Sequence, residues 1–191
     1  MDRITLVKLT RENVDLAGKV QNEIFPYSAS YCKYLEEINN PNCIYYDYLI
    51  ELKNTAIGVI GYYSEPSEES TAWLSWFGLL KEYRNKGYGK LAFDLLIQKL
   101  KQKGFFTLRL FTYKVWNKEA QSFYIKNMDF SESYTNDMDN QYDIINGKPL
   151  IFTKSLNSKP SHKWNNKFIN LDAEDKLHEE SLKLLKQKNT D

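Results

Sequence analysis

The chain has 191 residues, 42% of them hydrophobic, which is enough for one domain with a buried core. Lys and Arg number 26 against 25 for Asp and Glu, so the net charge of +1 gives no basic field of the kind that binds nucleic acid. No apolar run reaches the length of a membrane span and the N-terminal segment is too charged for a signal peptide, so we expect a cytoplasmic protein with neither nucleic acid nor membrane as partner.

Hydrophobic periodicity predicts about seven strands and four helices in an α/β domain covering residues 1–156. In chain order the predicted elements are a strand at 4–9, helices at 10–25 and 30–38, strands at 43–52, 55–63 and 71–80, a helix at 91–103, a strand at 105–112, a helix at 117–127 and strands at 130–135 and 149–156.

Punctuating residues support several of these boundaries. Thr10 or Asn13 is a suitable N-cap for the first helix, and Pro26 ends it. Lys53-Asn54 separates two β-branched and aromatic segments, which is typical of a hairpin. The segment "TAWLSWFGLL" (residues 71–80) is apolar on both faces and is therefore predicted to be a central strand.

The composition of residues 157–191 predicts a polar linker followed by a charged C-terminal helix. The sequence allows three interpretations of this extension: it mediates homodimerisation, it covers a substrate site, or it packs loosely on its own domain. Both histidines, His162 and His178, lie there, which argues against a catalytic triad or a zinc site. Cys32 and Cys43 lack metal-ligand spacing, so we expect reduced thiols and no metal.

The segment "EYRNKGYGKLAF" (Glu82–Phe93) places two glycines and several cations between the predicted central strand and an amphipathic helix. A glycine turn before a helix N-terminus presents free backbone N–H groups to an anion, and the helix dipole favours a diphosphate there. A Walker loop is excluded because Leu91 follows Gly89-Lys90 where Ser or Thr is required. The Rossmann fingerprint fits poorly because at least three strands precede the loop.

Arg84-x-x-Gly87-x-Gly89 resembles the (Gln/Arg)-x-x-Gly-x-(Gly/Ala) signature of the GNAT superfamily of acetyl-coenzyme A-dependent N-acetyltransferases. The segment "NKEAQSFYIKNMDF" (residues 117–130) resembles a second signature of that family, except that Asp129 stands where a glycine is usual. The resemblance covers residues 4–156 in element order and implies the GNAT fold, a mixed and mostly antiparallel sheet flanked by helices.

The resemblance also implies roles for particular residues. The backbone of the glycine loop would hold the coenzyme A pyrophosphate, and the positions that match it are Arg84, Asn85, Lys86, Gly87, Tyr88, Gly89 and Lys90. The alternative for this loop is a plain helix-capping turn with solvated lysines. Phe77 and Leu79 match the strand positions that pair with the pantetheine arm, and Gly78 between them suggests a bulge or a close approach.

Two further positions come from the second signature. Asn117 resembles the asparagine that contacts pantetheine, although a helix cap is an equally good interpretation. Tyr124 resembles the tyrosine that protonates the departing thiolate, the alternative being one more buried aromatic side chain.

The implied reaction is direct attack of a primary amine, from a small molecule or a peptide or protein, on the thioester carbonyl of acetyl-CoA. The alternative is a GNAT-fold module that binds acyl-CoA without transferring it. Neither Cys32 nor Cys43 falls on a signature position, which argues against transfer through a cysteine. No general base is assigned, because each candidate carboxylate is also explained as a solvated side chain: Glu23, Glu65, Glu68, Glu69, Asp137, Asp139 and Asp143.

Overall fold

A computed structural model describes residues 3–26, 28, 30–64, 68, 70–113, 118–133 and 149–161. The elements in chain order are β1 (Ile4–Lys8), α1 (Val14–Ile24), α2 (Ser30–Asn39), β2 (Tyr45–Leu52), β3 (Thr55–Tyr63), β4 (Thr71–Leu79), a 3-10 turn (Lys81–Tyr83), α3 (Tyr88–Gln102), β5 (Thr107–Tyr113), α4 (Lys118–Asn127), β6 (Phe130–Ser133) and β7 (Pro149–Ser155).

The strands form one seven-stranded sheet in the order β1-β2-β3-β4-β5-β7-β6. Every neighbouring pair is antiparallel except β4 and β5, which run parallel. The mixed, mostly antiparallel sheet and the central place of β4 are thus confirmed. Lys53 and Asn54 both have positive φ, at 50° and 65°, as the two central residues of a type I′ hairpin turn do.

Helices cover both faces of the sheet. On one face α3 packs over a large apolar cluster that includes Ile50, Phe93 and Leu96. On the other face α1 and α2 pack over a second cluster that includes Ala17 and Leu49. The adjacent residues Leu49 and Ile50 fall in different clusters because side chains alternate along a strand.

The central strands β4 and β5 separate after three cross-strand pairs. Thr71, Ala72 and Trp73 pair with Thr107, Leu108 and Arg109. Beyond Trp73, β4 continues alongside β3 as far as Leu79, while β5 continues alongside β7. Over its second half, β4 therefore forms no backbone ladder with β5.

Some predicted boundaries differ from the structure. The helix that follows the glycine loop begins at Tyr88, so it takes Gly89 and Lys90 into its first turn. Gly104, which was predicted to stop this helix, lies two residues after its last residue and has φ of 85°. Asn13 precedes α1 but makes no side-chain cap; its Oδ1 accepts from the Thr10 backbone N–H at 2.8 Å instead.

Asp129, the departure from the second signature, does not adopt a left-handed turn. Its Oδ2 accepts from the Ser155 backbone N–H at 2.7 Å, and its Oδ1 lies 3.3 Å from Lys154 Nζ. The carboxylate therefore joins the start of β6 to β7.

No helix in the described part of the chain is long and apolar enough to cross a membrane. The predicted C-terminal helix lies outside the described residues.

Candidate active site

The second half of β4 contains a β-bulge. Ile60 pairs with Phe77 and Tyr62 with Leu74, so Ser75 and Trp76 together oppose the single residue Gly61. Ser75 and Trp76 are half-buried, whereas the first half of the strand is buried. The bulge begins two residues beyond Trp73, the last residue of β4 that pairs with β5. The gap between β4 and β5 beyond Trp73 is called the opening below. The bulge changes the direction of the β4 side chains beside this opening.

Gly78 has a different role from the one its position suggested. The bulge lies at Ser75–Trp76, and Gly78 provides space for the end of α1 instead. A Cβ at Gly78 would stand 2.6 Å from Ile24 Cγ2 and 2.8 Å from Phe25 Cζ. The approach is made by side chains rather than by backbone.

Phe77 and Leu79 point to the α3 side of the sheet. Phe77 is half-buried, and its ring lies 6.2 Å from Phe93 and 5.7 Å from Phe123, centroid to centroid. Leu79 is 8% exposed and belongs to the apolar cluster under α3. The two residues lie on the half of β4 that has left β5.

The glycine loop has the backbone conformation of an N-terminal anion site. Asn85 and Gly87 have φ of 58° and 84°, and Gly87 is the residue immediately before α3. The N–H groups of the first turn, including Tyr88, Gly89 and Lys90, have no partner within the helix. They point out of the helix end with the positive end of its dipole.

Gly89 differs from Gly87, because its φ is not in the left-handed region. A Cβ at Gly89 would have Phe77 Cζ at 3.8 Å and Leu79 Cδ1 at 3.9 Å as its nearest neighbours, which is ordinary van der Waals contact. Packing within the chain therefore does not require a glycine at position 89.

The cations of the loop are not all free. Lys90 forms an i, i+4 ion pair with Asp94. Such exposed pairs contribute only about 0.3–0.5 kcal/mol, so a phosphate can compete with Asp94 for the ammonium. Lys86 Nζ lies 6.0 Å from the centroid of the Tyr83 ring. Arg84 Nε donates to the Leu79 carbonyl oxygen at 2.9 Å, so this side chain ties the loop to the end of β4.

A cavity of about 260 Å³ lies where this loop meets the end of α1. Its lining combines one carboxylate with two cations and two apolar side chains: Glu23, Ile24, Leu80, Lys81 and Arg84. Glu23, one of the candidate bases, therefore opens into a cavity beside the loop.

Tyr124 lies on α4 and is 8% exposed. Its ring packs against Phe152 of β7, 5.8 Å away, while its neighbour Phe123 packs against Phe77 of β4. Two consecutive residues of α4 thus contact β4 on one side of the opening and β7, the partner of β5, on the other. Burial raises the pKa of the Tyr124 phenol, which keeps it protonated at neutral pH. Asn117 lies outside the described residues.

Two of the candidate bases lie among the described residues: Glu23, which lines the cavity, and Glu68. Glu68 Oε2 accepts from Trp73 Nε1 at 2.8 Å and lies 4.0 Å from Arg109 Nε. The Glu68 carboxylate thus contacts Trp73 and Arg109, which form the last β4–β5 pair. Glu65, Glu69, Asp137, Asp139 and Asp143 lie outside the described residues. Among the described residues no group of three or more His, Cys, Asp or Glu side chains is arranged to hold a metal ion.

Sequence reasoning missed a buried carboxyl pair on the α2 side of the sheet. Asp47 of β2 is 3% exposed, and its Oδ1 accepts from Ser75 Oγ at 2.7 Å. Glu37 of α2 accepts the Asp47 backbone N–H through Oε2 at 2.9 Å. Burial raises the pKa of Asp47 to about 6, and burial together with the Asp47 charge raises that of Glu37 to about 8. The available signal was a carboxylate among the apolar and aromatic residues of the strand "YYDYLIEL".

Comparison with known proteins identifies the family of this chain. The model of the acetyltransferase (GNAT) family matches residues 14–130. No curated protein sequence matches the chain.

Several solved structures share the fold. A GNAT-family acetyltransferase from Desulfovibrio desulfuricans is 11% identical, with a TM-score of 0.66, 81% of this chain covered and 100% of that chain. The ribosomal-protein-S18-alanine N-acetyltransferase of Escherichia coli is 14% identical, with a TM-score of 0.60 over 87% of this chain and 100% of its own. The PaiA N-acetyltransferase of Thermoplasma acidophilum, in complex with coenzyme A, is 21% identical, with a TM-score of 0.58 over 80% and 99% of the two chains. With a family model matching more than half of its length, this chain belongs to the GNAT family of acetyltransferases.

Proposed function

We propose that this chain is an N-acetyltransferase that moves the acetyl group of acetyl-CoA to a primary amine by direct attack. The observation that carries the proposal is the divergence of β4 from β5 directly before the glycine loop. Beyond Trp73, no described strand pairs with the β5-facing edge of β4, so this edge can take up an extended, amide-containing chain. The loop supplies a site for a diphosphate next to it. Coenzyme A has both of these parts. Family relatives such as the Thermoplasma acetyltransferase, whose structure contains coenzyme A, support the same donor.

The loop residues fit the diphosphate. Asn85 and Gly87 turn the backbone through left-handed conformations, and the free N–H groups of the first turn of α3 follow. We assign diphosphate binding to Arg84, Asn85, Lys86, Gly87, Tyr88, Gly89 and Lys90, with Arg84 acting through its hydrogen bond to Leu79.

The pantetheine arm would lie along β4 at Phe77 and Leu79, with Asn117 as a further contact. Acetyl-CoA supplies a thioester whose carbonyl carbon accepts a nucleophile and whose sulfur leaves as a thiolate. Backbone N–H groups on the free edge of β4 are suited to holding the carbonyl oxygen as it gains charge. The Tyr124 phenol carries a proton at neutral pH and is the group assigned to donate it to the thiolate.

The acceptor is a primary amine of a small molecule, peptide or protein, and we place the reaction in the cytoplasm. No disulfide joins Cys32 and Cys43 in the described part of the chain, which is compatible with a reducing compartment. Homodimerisation and the division into residues 1–156 and a C-terminal extension 157–191 remain parts of the proposal.

The proposal is tested by measuring release of free thiol from acetyl-CoA with a panel of polyamines, aminoglycosides, amino acids and peptides. We expect acetyl-CoA to raise the melting temperature, and at least one amine class to release thiol faster than buffer alone. Gly87→Val, which forces a β-branched residue into a left-handed conformation at φ 84°, serves as the binding-deficient control. Binding of acetyl-CoA with no transfer to any amine would instead support the acyl-CoA-binding module.

A further inference from the structure

Acylation of an amine requires a route for protons. At neutral pH an alkylamine is an ammonium ion, which loses one proton before its nitrogen can attack and a second as the amide forms. The departing thiolate takes up one of these protons. The other must pass to the protein or to solvent. A side chain that receives it must lie beside the opening between β4 and β5, where the thioester is proposed to lie.

The described residues offer one hydroxyl–carboxylate pair at this opening. Ser75 stands on the β4 bulge, two residues from Phe77, which corresponds to about 6–7 Å along a strand. Its half-buried hydroxyl donates to Asp47 Oδ1 at 2.7 Å. Because the single hydroxyl proton is used in this bond, the lone pairs of Ser75 Oγ remain to accept a proton from a neighbouring group.

The sheet makes room for this contact. Asp47 and Gly61 are cross-strand partners, and a Cβ at Gly61 would stand 1.7 Å from Asp47 Oδ1 and 2.7 Å from Ser75 Oγ. The carboxylate therefore reaches from β2 across β3 to β4 over the missing side chain. Any larger residue at position 61 would separate Asp47 from Ser75.

The hydrogen bond from Ser75 does not itself require a negative charge at position 47. An asparagine at position 47 would accept the same hydrogen bond from Ser75 without the cost of burying a carboxylate. Glu37 adds a second carboxyl group close by, and its Oε1 is buried and has no hydrogen-bond partner among the described residues. A costly charge held beside a reactive site favours a chemical role over a structural one.

The charged and titratable groups around the pair leave it able to change its proton. Lys33 of α2 favours the charged form of Asp47, and Lys8 of β1 favours that of Glu37. Burial raises the pKa values of Tyr34 of α2, Tyr48 of β2 and the Cys43 thiol, and the charges of Glu37 and Asp47 raise them further. With pKa values of about 6 for Asp47 and about 8 for Glu37, the pair holds fewer protons than it can accept at neutral pH.

We propose that Ser75 contacts the acceptor amine and passes its proton to Asp47, and that Glu37 is a positioning residue for Asp47. The ammonium proton moves to Ser75 Oγ as the Ser75 hydroxyl proton moves to Asp47 Oδ1. The nitrogen then forms its bond to the acetyl carbon, the carbon–sulfur bond breaks, and the thiolate takes the second proton. This inference rests on the proposed acetyl transfer.

The test uses the full chain and the amine that gives the fastest thiol release in the screen described above. The variants are Asp47→Asn, Ser75→Ala and Gly61→Ala, and kcat is measured from pH 6 to pH 10 with acetyl-CoA affinity as a second readout. We expect Asp47→Asn to lower kcat at pH 7 on the order of 100-fold with little change in acetyl-CoA Kd. The loss should shrink as pH rises, because the free amine then loses its proton to solvent.

Ser75→Ala should reproduce the loss, and it remains decisive if Asp47→Asn or Gly61→Ala does not fold. Asp15→Asn is the matched control: Asp15 also accepts a hydroxyl hydrogen bond, from Tyr31, but on α1, and it should leave kcat and its pH profile unchanged. Wild-type kcat and pH profile in folded Ser75→Ala or Asp47→Asn would overturn the proton route while leaving acetyl transfer intact. If wild type binds acetyl-CoA but acylates no amine, the transfer proposal fails and the proton route fails with it.

Discussion

Arg84 donates a hydrogen bond from Nε to the carbonyl oxygen of Leu79 at 2.9 Å. Sequence motifs assign these two residues separately to the diphosphate and to the pantetheine arm. The hydrogen bond joins them, so the geometry of the glycine loop depends on the end of β4. The arginine at the head of the signature therefore serves as a structural link as well as a charge.

This link predicts that Arg84→Lys is not a conservative change. Lysine keeps the positive charge but cannot place a donor where Nε stands, because its ammonium lies at the end of a flexible stem. We expect Arg84→Lys and Arg84→Met to weaken acetyl-CoA binding to a similar extent, about tenfold, as measured by isothermal titration calorimetry. Wild-type affinity in Arg84→Lys, with weak binding only in Arg84→Met, would show that charge alone matters.

The two glycines of the loop should respond in opposite directions to alanine. Gly89→Ala should raise the free energy of unfolding by about 0.5–1 kcal/mol, because alanine favours the helix and position 89 has room for a Cβ. Its acetyl-CoA affinity should stay within a few-fold of wild type, since the signature allows alanine there.

Gly87→Ala should lower the free energy of unfolding by about 1 kcal/mol, because φ at this position is 84°. It should also weaken acetyl-CoA binding by displacing the N–H groups of the first turn. Urea unfolding and calorimetry on both variants provide the measurements. A stabilised Gly87→Ala, or a destabilised Gly89→Ala, would contradict the loop conformation described above.

Tyr124→Phe tests the proposed proton donor. The ring packing against Phe152 is kept, so we expect normal folding and an acetyl-CoA Kd near that of wild type. Turnover should fall on the order of 10²-fold, because the thiolate then leaves without a proton from the phenol. The measurement is kcat for thiol release across the pH range. Equal turnover of Tyr124→Phe and wild type at every pH would remove the tyrosine from the mechanism.

The buried carboxyl pair predicts a pH dependence of stability. The pKa values of Asp47 and Glu37 are raised in the folded state, from 3.8 to about 6 and from 4.5 to about 8. Between about pH 4 and pH 8 the folded state therefore holds more protons than the unfolded state. Their contribution to stability is present at low pH and is lost as the pH rises through this range. Urea midpoints between pH 4 and pH 8.5 measure this decline.

Two variants should change that decline in opposite ways. Asp47→Asn should flatten it, because one titrating group is removed and Glu37 loses the neighbouring charge that raises its pKa. Ser75→Ala should steepen it, because the Ser75 hydrogen bond lowers the pKa of Asp47. Parallel pH profiles for wild type and both variants would show that the pair does not titrate between these limits.

The sequence by itself determined the elements, the central strand and the family. Alternating and helical apolar periods depend on local geometry, and the glycine loop with the second signature lies within short contiguous segments, so both can be read without tertiary contacts. The hairpin at Lys53-Asn54 was predictable because turn chemistry is local. The start of α3 was placed three residues late, because Gly89 is a poor helix former that the helix nevertheless includes.

Only the tertiary structure decided which side chains meet. Gly61 and Gly78 both carry no side chain for reasons of packing, the first beside Asp47 and the second beside the end of α1. The Ser75–Asp47 hydrogen bond joins residues 28 positions apart, and no local pattern encodes that distance. The loop predicted the acetyl donor from sequence, whereas the candidate proton acceptor emerged only when three strands brought the buried Asp47 of β2 within hydrogen-bonding distance of Ser75 on β4.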